Sequence, residues 1–264
     1  MSLDIVKPAA PVLAGLVGLV VGSFLNVVVH RVPRGESIVF PGSHCPHCGR
    51  DLTWWENVPV LSWIGLRGRC FGCKTPISPR YPLVELMTGA LFAASAMVYG
   101  LTPASLAVDG LCAVLVAVLF FDLDHLLIPD SFSLPCAIFA FAFSLAQHRA
   151  LAGLESGVIA GGAFALVHLA TRGRGMGFGD VKLAAAIGLG LPVASGIALI
   201  VVSFAVGAIV ALPVVAAGSR GRRDALPFGP FLVTAAYLLV FAPALAFGPF
   251  DAYRRWMEAR WLSP

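Results

Sequence analysis

The sequence predicts an all-α polytopic membrane protein with one polar insertion, and three observations carry that reading. The 264 residues are 58% hydrophobic and only 12% charged, whereas a soluble domain carries about a quarter charged residues. Apolar runs of about twenty residues, long enough to span a bilayer as helices, recur along the chain. One stretch, residues 31–82, differs from everything around it: it concentrates the basic residues and four of the six cysteines.

The segments follow in order. Apolar runs lie at about 11–29, 83–99, 105–121, 131–147, 154–170, 181–191, 193–217 and 227–247, which reads as about eight transmembrane helices. The first is longer than a signal-peptide core and no small-residue cleavage pattern follows it, so it is expected to stay as a helix. The sixth is short, and Leu191-Pro192 after it is either a tight turn or a kink. Residues 1–30 then form a first transmembrane helix, 31–82 an inserted domain, and 83–264 a helix bundle.

Charge sets the expected orientation. The net charge of +4 is not a nucleic-acid footprint, because the cations fall in loops between apolar runs. They cluster at Arg31 to Arg80, at Arg172, Arg174 and Lys182, and at Arg220, Arg222 and Arg223. Basic loops face the cytoplasm. An outside N-terminus puts 30–82, 122–130, 171–181 and 218–226 all inside. The tail is the misfit: Arg254, Arg255 and Arg260 fall outside, unless Trp256 and Trp261 hold it at the interface.

The cysteines have a specific spacing. Cys45-Pro46-His47-Cys48 and Cys70-Phe71-Gly72-Cys73 are two CxxC knuckles with 21 residues between them. Two such knuckles offer a tetrahedral four-thiolate zinc site, structural because it keeps no open position for water. The reducing cytoplasm argues against disulfides. His44 and His47 are alternative ligands, with solvated loop histidines the blander account. Cys112 and Cys136 lie in apolar runs and read as core.

Four acids stand at the cytoplasmic ends of apolar segments: Asp122, Asp124, Asp130 and Asp180. An acid at a membrane helix end is expensive and marks a functional candidate. Two carboxylates about 3 Å apart do not both ionise, so one activates water and the other donates a proton. That is aspartic-protease chemistry. Gly177 and Gly179 would let backbones approach closely and leave space for an extended substrate beside Asp180. The bland alternatives are helix caps and ion pairs. Asp130, after Pro129, reads as an N-cap; Asp180 could cap the sixth segment with Lys182 as its partner. Asp124 is ambiguous beside His125. Glu85 either caps the second segment or lines a site. Asp109 reads as interfacial, and His168 as structural.

Several motifs in order resemble those of the bifunctional type IV prepilin peptidases. They are Gly22-Ser23-Phe24-Leu25-Asn26-Val27, Arg31-Val32-Pro33, the two CxxC pairs, and Asn57-Val58-Pro59-Val60 with Ser62-Trp63. There follow Arg80-Tyr81-Pro82-Leu83-Val84-Glu85-Leu86, Asp122 with Leu127-Ile128-Pro129-Asp130, Gly177 to Lys182, and Pro227-Phe228-Gly229-Pro230. The resemblance implies that Asp122 and Asp180 are the catalytic aspartates, choosing Asp122 over Asp124. It implies cleavage of the short basic leader of prepilins or pseudopilins after a glycine, at the cytoplasmic face of a bacterial inner membrane. It also implies N-methylation of the new N-terminus with S-adenosyl-L-methionine, since the four-Cys domain belongs to the bifunctional members. The acidic residue that often precedes the GMG run in that family is replaced here by Arg174-Gly175.

The expected protein is thus a membrane aspartic endopeptidase and methyltransferase with a structural Zn2+ at Cys45, Cys48, Cys70 and Cys73. Its partners are prepilin-like substrates and the lipid bilayer, with no nucleic acid; the sequence assigns no oligomeric state. For the methyl donor, Glu85 and the loop 31–82 are candidates, because GLVVGSF places its glycines in an apolar helix and not in a nucleotide loop. The rival readings are a peptidase alone, with the Cys domain docking substrate, a proton-coupled transporter, and a zinc-linked scaffold.

Overall fold

The computed structural model describes residues 3–216 and 226–248, with side chains from residue 9 onward except residue 215. The loop at Arg220, Arg222 and Arg223 and the tail from Arg254 to Trp261 lie outside the described residues. Among the described residues there is no strand, only helices and two isolated bridges. The chain divides into two compact units, Met1–Phe121 and Asp122–Pro264.

The first unit holds α1 (Leu3–Arg31), α2 (Leu61–Gly65), α3 (Arg80–Tyr99) and most of α4 (Pro103–His125). Helices α1 and α3 pack along each other, and small residues make this possible. A Cβ on Gly18 would lie 2.7 Å from the Thr88 carbonyl oxygen, and one on Gly22 would lie 2.7 Å from the Cα of Glu85. Close backbone approach is how helices gain packing contacts in lipid, where no hydrophobic drive joins them. The glycines of GLVVGSF therefore lie inside a helix, as expected, and also form its interface with α3.

The second unit holds the last turn of α4, α5 (Asp130–Ala146), α6 (Ala150–Ala170), α7 (Phe178–Gly188), α8 (Val193–Ala216) and α9 (Gly229–Phe241). Helix α7 is its centre and touches α5, α6, α8 and α9. Beyond Lys182 it is apolar all round, which suits a helix enclosed by others; Leu183 and Ala184 are fully buried. Gly157 on α6 and Gly188 on α7 meet so closely that a Cβ on Gly188 would lie 2.8 Å from the Cα of Gly157. Leu191 and Pro192 form a tight turn into α8, with Leu191 N–H donating to Gly188 at 2.9 Å.

The eight apolar segments all appear as helices, most within a few residues of the expected ends; α1 starts earlier than expected, at Leu3, and α9 stops short of 247, at Phe241. Five of them, α1, α3, α4, α6 and α8, are long and apolar enough to cross a membrane. The other three have 17, 11 and 13 residues. Eleven residues rise only about 16 Å, half of a hydrocarbon core of about 30 Å. Helix length therefore carries five crossings and leaves the count of eight unconfirmed.

Candidate active site and metal centre

The cysteine centre is built from two turns of one design. In each, the first Cys opens a tight loop. Cys45 N–H donates to the Arg50 carbonyl at 2.9 Å and Gly49 N–H returns to Cys45 at 2.9 Å; Cys70 to Thr75 and Lys74 to Cys70 repeat the pattern at 2.9 and 3.0 Å. The fifth position of each turn is left-handed, at φ 69° for Gly49 and φ 59° for Lys74. Each loop closes with an antiparallel bridge, His44 to Asp51 and Arg69 to Pro76.

These turns bring all four sulfurs within 4.8 Å of one another. No disulfide forms. The Sγ atoms of Cys45 and Cys73 lie 3.8 Å apart, the separation expected of sulfurs about 2.3 Å from a tetrahedral ion. The donor set is therefore one that fits a metal, and neither His44 nor His47 joins it.

A support that sequence reading missed sits beside this centre. Glu56 is buried and accepts from Arg50 at 2.6 and 3.0 Å and from the Thr53 backbone at 3.0 Å. The Arg50 hydrogen bonds pull its carboxyl down to about 2, with Thr53 adding to the effect. Arg50 lies on the ring of Phe71, in the other knuckle, at 5.8 Å. The signal was present as Thr53-Trp54-Trp55-Glu56, a capping box.

The acids separate cleanly in the second unit. Asp122, in the last turn of α4, is 4% exposed, and Asp180, in the first turn of α7, is 9% exposed. Asp124 is exposed. Each buried acid is held by a glycine N–H: Gly229 donates to Asp122 Oδ2 at 2.9 Å, and Gly177 donates to Asp180 Oδ2 at 3.1 Å. The role of Gly229 was not foreseen. A Cβ there would come 2.7 Å from Asp122 Oδ2, so only glycine allows this approach.

Two expectations are corrected. Asp130 is not an N-cap: Pro129 occupies that position, and no side chain caps the helix. Asp130 instead pairs with Lys182, so Lys182 is not the partner of Asp180. Asp180 does close the start of α7, accepting from Gly177 N–H. Gly179 serves close approach and not open space: a Cβ there would meet Ile128 at 3.1 Å. His168 is structural as expected, its Nδ1–H donating to the Met176 carbonyl at 2.8 Å and its ring lying against Phe178.

Glu85 does not share the acids' unit. It is buried in the first unit, accepts from Val60 N–H at 2.7 Å, and lines a cavity of about 460 Å³ between the α1–α3 pair and the cysteine segment. Asp109 is half-buried in α4, less exposed than an interfacial position implies.

Comparison with known proteins agrees with this geometry. The profile of the bacterial peptidase A24 N-terminal domain matches residues 16–99, and that of the type IV leader peptidase family matches residues 110–212. A prepilin leader peptidase/N-methyltransferase of Burkholderia pseudomallei is 38% identical over 86% of this chain and 83% of the relative. One of Aeromonas hydrophila is 36% identical over 94% and 93%, and one of Myxococcus xanthus is 42% identical over 82% and 67%. No solved structure matches. These likenesses, with the four-thiol cluster and two buried aspartates, place the chain in the type IV leader peptidase family.

Proposed function

We propose that this protein is a prepilin leader peptidase and N-methyltransferase of the bacterial inner membrane, crossing it eight times with its acids on the cytoplasmic face. Residues 1–30 and 83–264 are the membrane part, and 31–82 a cytoplasmic domain closed by Zn2+ on Cys45, Cys48, Cys70 and Cys73. The observation that carries the peptidase reading is the pair Asp122 and Asp180, both buried in one unit and each oriented by a backbone N–H.

Asp122 and Asp180 act as a dyad. The amides of Gly229 and Gly177 engage one oxygen of each acid, leaving the other to face water and substrate. One carboxylate takes a proton from water as its oxygen adds to the scissile carbonyl. The protonated partner donates to that carbonyl oxygen. Collapse of the tetrahedral intermediate returns a proton to the leaving amine. The dyad titrates as a coupled pair. An apolar groove lined by Leu134, Val158, Ala165 and Val181 starts one residue from Asp180 in the chain. It offers the hydrophobic segment of a prepilin a surface to lie on, while a basic leader is drawn to the anionic inner leaflet.

The freed N-terminal amine is then methylated, with S-adenosyl-L-methionine supplying the methyl group. The zinc cluster folds its loop and performs no step. The test is direct. Asp122→Asn and Asp180→Asn each lower leader cleavage by about 10³-fold or more, with membrane insertion unchanged. Cleavage near the normal rate in either variant overturns the assignment.

A further inference from the structure

The cavity in the first unit is built differently from the acid pair. Its floor is α1 and α3, with Ser23, Asn26, Tyr81 and Glu85; its roof is the cysteine segment, with Ser62 and Trp63. At about 460 Å³ it is the size of a small-ligand site, which typically spans roughly 300–1,000 Å³. Glu85 is 7% exposed and its carboxylate accepts from Val60 N–H at 2.7 Å. Among the described residues no cation pairs with it. A buried carboxylate without a cation is costly, and such a charge in an apolar helix marks a site.

A second, independent feature points the same way. Val60, whose N–H is aimed at Glu85, has φ 62° and ψ −50°. A β-branched residue is an outlier there. Such strain survives only where the surroundings enforce it, and it collects at ligand sites. The strained turn holds one carboxylate oxygen in place, and Glu85 lines the cavity.

We propose that this cavity binds the methyl donor, with Glu85 opposite its sulfonium and the Trp63 and Tyr81 rings lining the pocket around it. This rests on reading the chain as a methyltransferase. The occupant is a compact monocation carrying an adenosine, which fits the volume, the buried Glu85 and the aromatic lining. The roof contains Cys45 and Cys70, so the metal cluster would shape the pocket without entering the reaction. The rival cation for Glu85 is the freed N-terminal ammonium of the substrate.

Binding separates these. The full-length, zinc-loaded protein in detergent is titrated with S-adenosylmethionine and with S-adenosylhomocysteine, which lacks the positive charge. Glu85→Gln keeps an oxygen for Val60 N–H but removes the charge. It should weaken S-adenosylmethionine binding by about tenfold or more, the scale of one charged contact, and change S-adenosylhomocysteine binding little. Ser62→Phe, which fills the cavity, should weaken both. Leader cleavage, performed by the acids of the other unit, serves as the folding control for both variants. Unchanged donor affinity in Glu85→Gln, with a raised KM for cleaved pilin, would assign Glu85 to the ammonium and overturn the proposal. Unchanged affinity for both compounds in Ser62→Phe overturns it too. If the wild-type protein binds neither compound, the methyltransferase reading itself fails.

Discussion

The cysteine centre and the acid pair are assembled by opposite means. Each cysteine knuckle is closed by neighbours in sequence: two backbone hydrogen bonds and one bridge within eight residues. Only the meeting of the two knuckles is non-local, and a metal can drive it. The acids are placed by packing. Asp122 is held by Gly229 across 107 positions, and Asp180 sits on the central helix of a bundle. A local motif needs a ligand to complete it; a packed site is complete but fragile to one methyl group.

The largest expected effect tests the first half of that contrast. Structural zinc in small domains contributes roughly 10–16 kcal/mol to folding, so removing a metal held by the four cysteines should unfold residues 31–82. Chelation, or Cys70→Ser, should expose the half-buried Trp63 to quenchers and abolish methylation. Leader cleavage, on acids in the other unit, should fall only a few-fold. Loss of cleavage in step with metal release would break the contrast and make the two units one cooperative body.

The same contrast explains what was readable. The CxxC spacing is a property of consecutive residues, so the cluster of four thiols could be read directly. Helices were legible to within a few residues because an apolar run of that length has few alternatives in a membrane. The choice between Asp122 and Asp124 was not legible from chemistry. Two positions along a helix turn one acid inward and leave the other exposed, and only the resemblance selected Asp122. Asp130 looked like a cap by its neighbours, but Lys182, 52 residues on, claimed it. Gly229 carried no local signal, since its role is the space it does not fill. Glu56 was legible in its capping box and was passed over.

Gly229 sharpens the second half. Gly229→Ala would set a methyl group 2.7 Å from Asp122 Oδ2, inside any normal contact, so the carboxylate or the start of α9 must shift. A displacement of about 1 Å at a catalytic group costs about 10²-fold. Cleavage should fall by that order in kcat while insertion and metal content hold. Gly42→Ala, where a Cβ meets nothing within 4 Å, is the matched control and should change nothing. Full activity in Gly229→Ala would mean that the amide contact does not position the acid.

The smallest effect returns to the knuckles and asks how much of their stability is independent of metal. The Glu56 carboxyl is held near 2 by Arg50. A depressed carboxylate stabilises the fold at pH above its unfolded value of 4.5 and loses that contribution as pH falls toward 2. Glu56→Gln removes the charge, leaving Arg50 half-buried with a weaker partner. It should destabilise the segment by about 1–3 kcal/mol at neutral pH, read by denaturant titration of tryptophan fluorescence with the metal held saturating. The gap between wild type and variant should close as pH drops from about 4.5 toward 2, because protonation performs the same substitution on the wild type. A gap independent of pH would show that Glu56 acts by shape alone, and that the thiolates and their ion account for the whole local fold.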